Sequence, residues 1–195
     1  MSYQPIENYG IIGNMRTAAL IGMNGSLDWF CYPYFDSPSV FAAILDDAKG
    51  GRFQITPTDE NATCRQFYWP DTNVLVTRFL TPDGIGEVVD YMPVGLPHDR
   101  QKLIRRVTVT RGTMRFRIIC QPAFNYARTA HDIRLSEHGA AFHTPELSMG
   151  LSTEIPLEIS GSGVATEFIM NEEETSVFIF DEIRSGGGSS AVPLS

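Results

Sequence analysis

Acidic side chains sit next to one another at several places, and the candidate pairs among them are Asp46-Asp47, Glu172-Glu173-Glu174 and Asp181-Glu182. Two carboxyl groups held on either side of a bond can divide general-acid and general-base work between them. Neighbouring residues of a strand point to opposite faces, however, and the glutamate run has the character of a turn. Solvated acidic loops account for these groups. Asp28 and Asp36 differ, because they flank a corner rich in rings: Trp29, Tyr32, Tyr34 and Phe35, then Ser37. Rings that stack and carboxylates that accept hydroxyl hydrogens are the mixture a sugar-binding site uses. The competing structural reading puts Trp29 and Phe35 in the core. It makes Asp36 the cap of the turn, or of a helix that starts near Ser39.

The remaining reactive residues form no recognisable constellation. His98, His131, His138 and His143 lack metal-ligand spacing; a hairpin between His138 and His143 would bring those two together, but no third ligand is evident. No metal and no cofactor is expected. There is no Gly-x-Ser-x-Gly elbow, and Gly84-Ile85-Gly86 and Gly161-Ser162-Gly163 lack both the third glycine and the following helix of a dinucleotide fingerprint. Cys31, Cys64 and Cys120 are an odd number of distant thiols in apolar or aromatic segments, which reads as buried free cysteines. A formal net charge of -8 argues against a nucleic-acid partner. The densest basic group, Lys102, Arg105, Arg106 and Arg111, reads as a solvated strand edge. No leader and no membrane-spanning apolar run is seen, so a cytoplasmic protein with no membrane partner is expected.

The elements that must position the corner are strands. Thr17–Gly22 and Leu27–Tyr32 are short apolar runs about Asn24-Gly25, the signature of a type I′ hairpin. Phe53 and Ile55 alternate with Arg52, Gln54 and Thr56. Met114, Phe116, Ile118 and Cys120 alternate with Arg115 and Arg117. Ile85, Val89 and Tyr91 share a face with Glu87. Each pattern predicts one core face and one wetter face. Val74–Leu80 and Val177–Phe180 are apolar on both faces and are placed in sheet centres. Turns are predicted at Pro82-Asp83-Gly84, Arg111-Gly112, Glu137-His138-Gly139, Ser160–Gly163 and Asn171–Glu174. A single helical candidate remains, Ser39–Leu45. The expectation is an all-β, antiparallel two-sheet sandwich with one short helix over residues 1–184. Ser185–Ser195 then reads by composition as a Gly/Ser-rich linker.

The stretch from Gly13 to Ala43 resembles the opening of the bacterial and archaeal glycoside hydrolase family 15 proteins, the glucoamylase, glucodextranase and trehalase-like enzymes. The resemblance rests on Thr17-Ala18-Ala19-Leu20-Ile21, Gly25-Ser26-Leu27-Asp28-Trp29-Phe30-Cys31 and Phe35-Asp36-Ser37-Pro38-Ser39-Val40-Phe41-Ala42. It continues through Gly50-Gly51-Arg52-Phe53, Asp71-Thr72-Asn73-Val74-Leu75, Asp90-Tyr91-Met92-Pro93 and Leu103-Ile104-Arg105-Arg106-Val107. Asn14 stands where the family has Asp, and Tyr34 where it has Arg. The resemblance implies a β-sandwich of the supersandwich type ahead of an (α/α)6 barrel. In the family the barrel holds the two catalytic glutamates of an inverting α-glucosidic hydrolysis. On this reading the chain is a non-catalytic N-terminal domain that supports and docks its own barrel. It has no catalytic residue and is inactive by itself. Asp28, Trp29, Tyr34, Asp36 and Ser37 are then the candidates for the substrate rim or the domain interface, with α-glucoside oligosaccharides as ligands. The alternative is an independent carbohydrate-binding module.

Overall fold

A computed structural model describes residues 3–95 and 101–183. His98 and the Gly/Ser-rich segment Ser185–Ser195 lie outside the described residues. The expected antiparallel two-sheet sandwich is what forms. One sheet, here the front sheet, has the order β1 (Tyr9–Gly13), β2 (Ala18–Gly22), β3 (Ser26–Cys31), β5 (Arg52–Pro57), β9 (Lys102–Gln121), β14 (Gly163–Asn171), β13 (Glu158–Ser160), with β4 (Ser39–Phe41) beside β3. The back sheet runs β6 (Thr63–Tyr68), β7 (Leu75–Leu80), β8 (Gly84–Tyr91), β9, β15 (Thr175–Glu182), β12 (Ser148–Ser152), β11 (Gly139–His143), β10 (Asp132–Ser136).

Strand β9 belongs to both sheets, which corrects the expected hairpin at Arg111-Gly112. The chain does not reverse there. Lys102–Thr108 pairs with β15 and Thr113–Cys120 with β14. The strand bends instead, by a bulge opposite Ile85–Gly86 and by Gly112, whose φ is +70°. A bulge adds one residue, so the inward parity must change across it. It does: Leu103, Arg105, Val107 and Val109 point inward before the bend, and Met114, Phe116, Ile118 and Cys120 after it.

The hairpin after β2 is corrected too. Gly25 is left-handed, with φ +75°, while Asn24 is not among the positive-φ residues. Gly25 N–H donates to Gly22 O at 2.9 Å, a type I turn closed by a left-handed glycine rather than type I′. The accompanying register slip pairs Ile21 with Leu27 but Leu20 with Trp29, so Asp28 is the extra residue of a bulge. Leu27 and Phe30 both enter the core as a result, and Asp28 and Trp29 share the opposite face.

The core is a run of phenylalanine rings. Phe180 lies 5.3 Å from Phe41 and 6.2 Å from Phe53, and Phe116 stacks on Phe168 at 5.9 Å. Rings at these separations contribute beyond their buried area. Arg105 crosses this core with no solvent exposure, which corrects its expected place on a solvated edge. Its Nε donates to Asp90 Oδ1 at 2.7 Å and its Nη2 to Asp90 Oδ2 at 3.2 Å. Its other N–H groups reach the carbonyl oxygens of Gly25, at 2.8 Å, and Phe53. Asp90 is on the back sheet and the two carbonyls are on the front, so one guanidinium ties the sheets together. The pair turns Asp90 inward on β8 together with Gly84, Gly86 and Val88, the glycines leaving room for Met114 and Phe116, while Ile85 and Tyr91 stay half-buried on the outer face.

Ser39–Leu45 is not a helix: Ser39–Phe41 forms β4 and turns follow. The short helical turn is α1, Phe124–Ala127, and Asn125, Tyr126 and Ala127 all have φ near +50° to +60° (52°, 58° and 62°). Ser39 caps this turn, its Oγ accepting from Tyr126 N–H at 3.2 Å. Left-handed helical geometry costs roughly 1–2 kcal/mol for each ordinary residue, so β4 holds the segment against its local preference.

Candidate functional site

The five candidate residues divide into two groups. Asp28 and Trp29 lie on the outer face of the front sheet, placed side by side by the bulge. Asp28 is buried and its carboxylate is occupied: Tyr9 Oη donates to Oδ2 at 2.7 Å and Ser26 Oγ to Oδ1. Burial pushes the Tyr9 hydroxyl well above its ordinary range, and the adjoining Asp28 carboxylate adds to this by favouring the neutral phenol. Asp28 therefore holds β1 to β3 and is not open to a ligand. Trp29 is half-buried beside Tyr126, at 6.3 Å between rings, and the Arg128 guanidinium stands 6.0 Å above the Tyr126 ring. The left-handed turn thus presents an aromatic pair topped by a cation. Periodicity gave no sign of this grouping, since Tyr126 comes 97 positions after Trp29; Asn125, a residue that tolerates left-handed geometry, was the one local hint.

Tyr34, Asp36 and Ser37 sit beyond β3, on the exposed corner. Ser37, not Asp36, closes the turn: Ser37 Oγ accepts from Tyr34 N–H at 3.0 Å and Ser37 N–H donates to Tyr34 O at 3.1 Å. Asp36 is exposed. Phe35 is 59% exposed, so it is not a core residue; its N–H donates to Arg16 O at 3.0 Å and docks the corner on the turn between β1 and β2. Met15, at the tip of that turn, is 85% exposed. Asn14 accepts from the N–H groups of Arg16 and Thr17, each at 3.1 Å, with its Oδ1. An aspartate oxygen would do the same, so this departure from the family pattern leaves the turn intact. Tyr34, Phe35 and Met15 form one apolar, solvent-facing end of the sandwich. Tyr32 Oη donates to Glu182 Oε2 at 3.1 Å, which places the last residues of β15 beside this corner.

Several of the adjacent carboxylates have structural partners. Asp46 Oδ1 accepts from Ala48 and Lys49 N–H, each at 3.0 Å, and Asp47 pairs with Arg52. Glu172 Oε2 accepts from Gly112 N–H at 3.0 Å and Glu174 Oε2 from Asn171 N–H at 2.7 Å. Asp181 faces Lys102 at 3.5 Å, and burial raises its carboxyl pKa against the pull of that lysine. His138 and His143 lie at opposite ends of β11, so the hairpin does not bring them together. Among the described residues no group of three or more His, Cys, Asp or Glu side chains could hold a metal ion. Cys31 and Cys120 are buried free thiols as expected, whereas Cys64 is half-buried. No helix of the described residues is long and apolar enough to cross a membrane.

Comparison with known proteins matches residues 1–188 to the family described as trehalase-like, N-terminal. The chain is 36% identical over 185 residues to a trehalase of Thermoplasma volcanium, an alignment covering 91% of this chain and 29% of that protein. It is 38% identical over 151 residues to trehalase 1 of Sulfolobus acidocaldarius, covering 76% of this chain and 25% of that protein. It is 32% identical over 143 residues to the trehalase of Mycobacterium tuberculosis, covering 65% of this chain and 21% of that protein. The chain thus spans less than a third of the length of these relatives.

Proposed function

The chain belongs to the trehalase-like N-terminal family, and from that premise we propose that it is the non-catalytic β-sandwich domain of a longer enzyme that hydrolyses an α-glucosidic bond, with trehalose as substrate. The domain ends near residue 184, and the Gly/Ser-rich segment after it leads to an (α/α)6 barrel that carries the two catalytic carboxyl groups. The domain's work is to dock that barrel and to shape the rim of its pocket.

The observation that carries this reading is the position of the corner. Tyr32 is bonded to Glu182 at the end of β15, so whatever follows β15 is tethered beside Met15, Tyr34 and Phe35. Exposed apolar side chains grouped in this way mark an interaction surface. A short tether also keeps the barrel at high effective concentration over the corner. Inverting hydrolysis needs two carboxyl groups about 6.5–9.5 Å apart with a water between them, and Asp28, the buried acid next to the corner, is taken up by Tyr9 and Ser26.

The test is kinetic. In the full-length enzyme, Phe35→Ser and Asp36→Ala should lower kcat/KM for trehalose or loosen domain docking, and leave the melting of the isolated domain unchanged. Changes confined to thermal stability would remove the rim role. A second reading, an independent carbohydrate-binding module, draws on the Trp29–Tyr126 pair beneath Arg128. It predicts that trehalose or malto-oligosaccharides bind the isolated chain and change its tryptophan fluorescence.

A further inference from the structure

The outer face of a sandwich sheet is ordinarily polar. The back sheet departs from this along one row of its register, Phe67–Val76–Val89–Arg106–Val177, which crosses five strands. The neighbouring row adds Tyr91, Ile104 and Ile179, all half-buried. Val76 and Val89 are buried although they point away from the core. Arg106 reaches across them, and its guanidinium stands 5.9 Å from the centre of the Trp69 ring. Trp69 itself is 41% exposed.

Arg106 is the chemical anomaly of this face. Its Nε is buried and has no hydrogen-bond partner. The guanidinium makes no hydrogen bond to a described residue, and its Nη groups, which unlike Nε keep access to the surface, pair best with a carboxylate. Glu87, one register row away on the same face, is already held by Arg78, whose Nε donates to Oε1 at 2.7 Å. In a chain of net charge -8, Arg78 and Arg106 therefore stand beside one acid that is already neutralised. The face is apolar, cationic at its centre, and missing one anionic acceptor.

We propose that this face is a docking surface for a polypeptide segment carrying an aspartate or glutamate among aliphatic side chains, with the carboxylate accepting from Arg106 and the aliphatic groups covering Val177, Ile104 and Ile179. The segment belongs to the catalytic part that follows β15, so the proposal rests on the domain reading above. Reach allows it. Arg106 lies opposite Val177, and Glu182 is only five residues further along the same strand, about 17 Å away at about 3.4 Å per residue. The tethered part then touches the sandwich at two places, the corner and this face.

Hydrogen–deuterium exchange of the full-length enzyme against the isolated domain tests this without any variant. Amides of β9 and β15 that flank Arg106 should exchange at least tenfold more slowly in the full-length protein. Calorimetry then compares Arg106→Met and Val177→Glu with Arg65→Met as a control on the same sheet. The first two should split one joint melting transition into two, with the isolated domain's melting unchanged by Arg106→Met and raised by Val177→Glu, whose carboxylate faces Arg106 across the strand pair; the control should alter neither the joint transition nor the isolated domain. If wild type already melts as two independent domains, the docking reading of the previous subsection fails. If the domains melt jointly and both Arg106→Met and Val177→Glu leave them joined, this proposal fails and that reading stands. Dimerisation of the isolated domain that Val177→Glu abolishes, or quenching of Trp69 by trehalose, would also overturn the proposed occupant.

Discussion

Replacing Arg105 with leucine should be among the most damaging single changes in the domain. The side chain has no exposed surface and supplies both bonds to Asp90 as well as the donors to Gly25 O and Phe53 O. Removing one partner of a buried ion pair costs about 3–5 kcal/mol, because the other charge stays behind unpaired. Losing the donors to the two carbonyls adds less than full orphaning would, because Gly25 O still accepts from Ile55 N–H at 3.1 Å, and the leucine gains some apolar burial. Against a total stability of about 5–15 kcal/mol, the loss is a large fraction. For a domain of this size 1 kcal/mol moves the melting temperature by about 2–4 °C, so a loss of 3–5 kcal/mol lowers it by about 6–20 °C. Urea unfolding followed by the fluorescence of Trp29 and Trp69 measures the effect. The double variant Arg105→Leu, Asp90→Leu removes the stranded carboxylate and should be more stable than Arg105→Leu alone. Arg105→Lys, which keeps the charge but loses the fork, should fall between wild type and leucine. A midpoint for Arg105→Leu within 2 °C of wild type, or simple additivity in the double variant, would refute the idea that this pair joins the sheets.

Three further expectations concern groups outside that pair. The Tyr9 hydroxyl has its pKa raised by burial and by Asp28. The unfolded phenol ionises near pH about 10 while the folded one stays neutral, so stability should fall as pH rises above that value. Tyr9→Phe, measured by urea unfolding from pH 8 to 11, should flatten that decline and be less stable than wild type at pH 8. Native protein treated with a thiol reagent at pH 8 should be modified first at Cys64, with Cys31 and Cys120 reacting only on unfolding. Burial raises all three thiols, but only Cys64 is half-exposed, and mass spectrometry reads the order directly. Gly25→Ala should destabilise the domain by more than 1 kcal/mol, roughly the cost of a left-handed non-glycine residue, because the new Cβ also meets the Ile55 carbonyl oxygen; the same urea titration measures it.

Much of the fold could be read in the sequence because period-two alternation depends on burial alone. Phe53 and Ile55, and Met114 through Cys120, fall where alternation puts them. Alternation fails where one residue is inserted. The bulge at Asp28 and the bend at Gly112 each reverse parity, and neither leaves a mark in hydrophobicity. Arg105 was misread for a related reason: composition describes an arginine as solvated, and only the partner 15 positions away, Asp90, makes it a core residue. The helix was misplaced because Ser39 reads locally as a cap. It does act as one, for a turn at Tyr126 that is 87 positions distant. Of the candidate site, Tyr34 and Phe35 could be located because prolines mark the corner. Asp28 is bound to Tyr9 and Ser26, across strands, and spacing could not show this.

The most direct test of the central claim is glucose release from trehalose by three samples: residues 1–195 alone, the remainder of the enzyme alone, and the two separately produced pieces mixed. A docking domain without chemistry predicts no release from the first, little from the second, and a saturable gain on mixing that Phe35→Ser weakens. Release by residues 1–195 that disappears in a single carboxylate variant would contradict the account, and so would full activity of the remainder with no response to added domain.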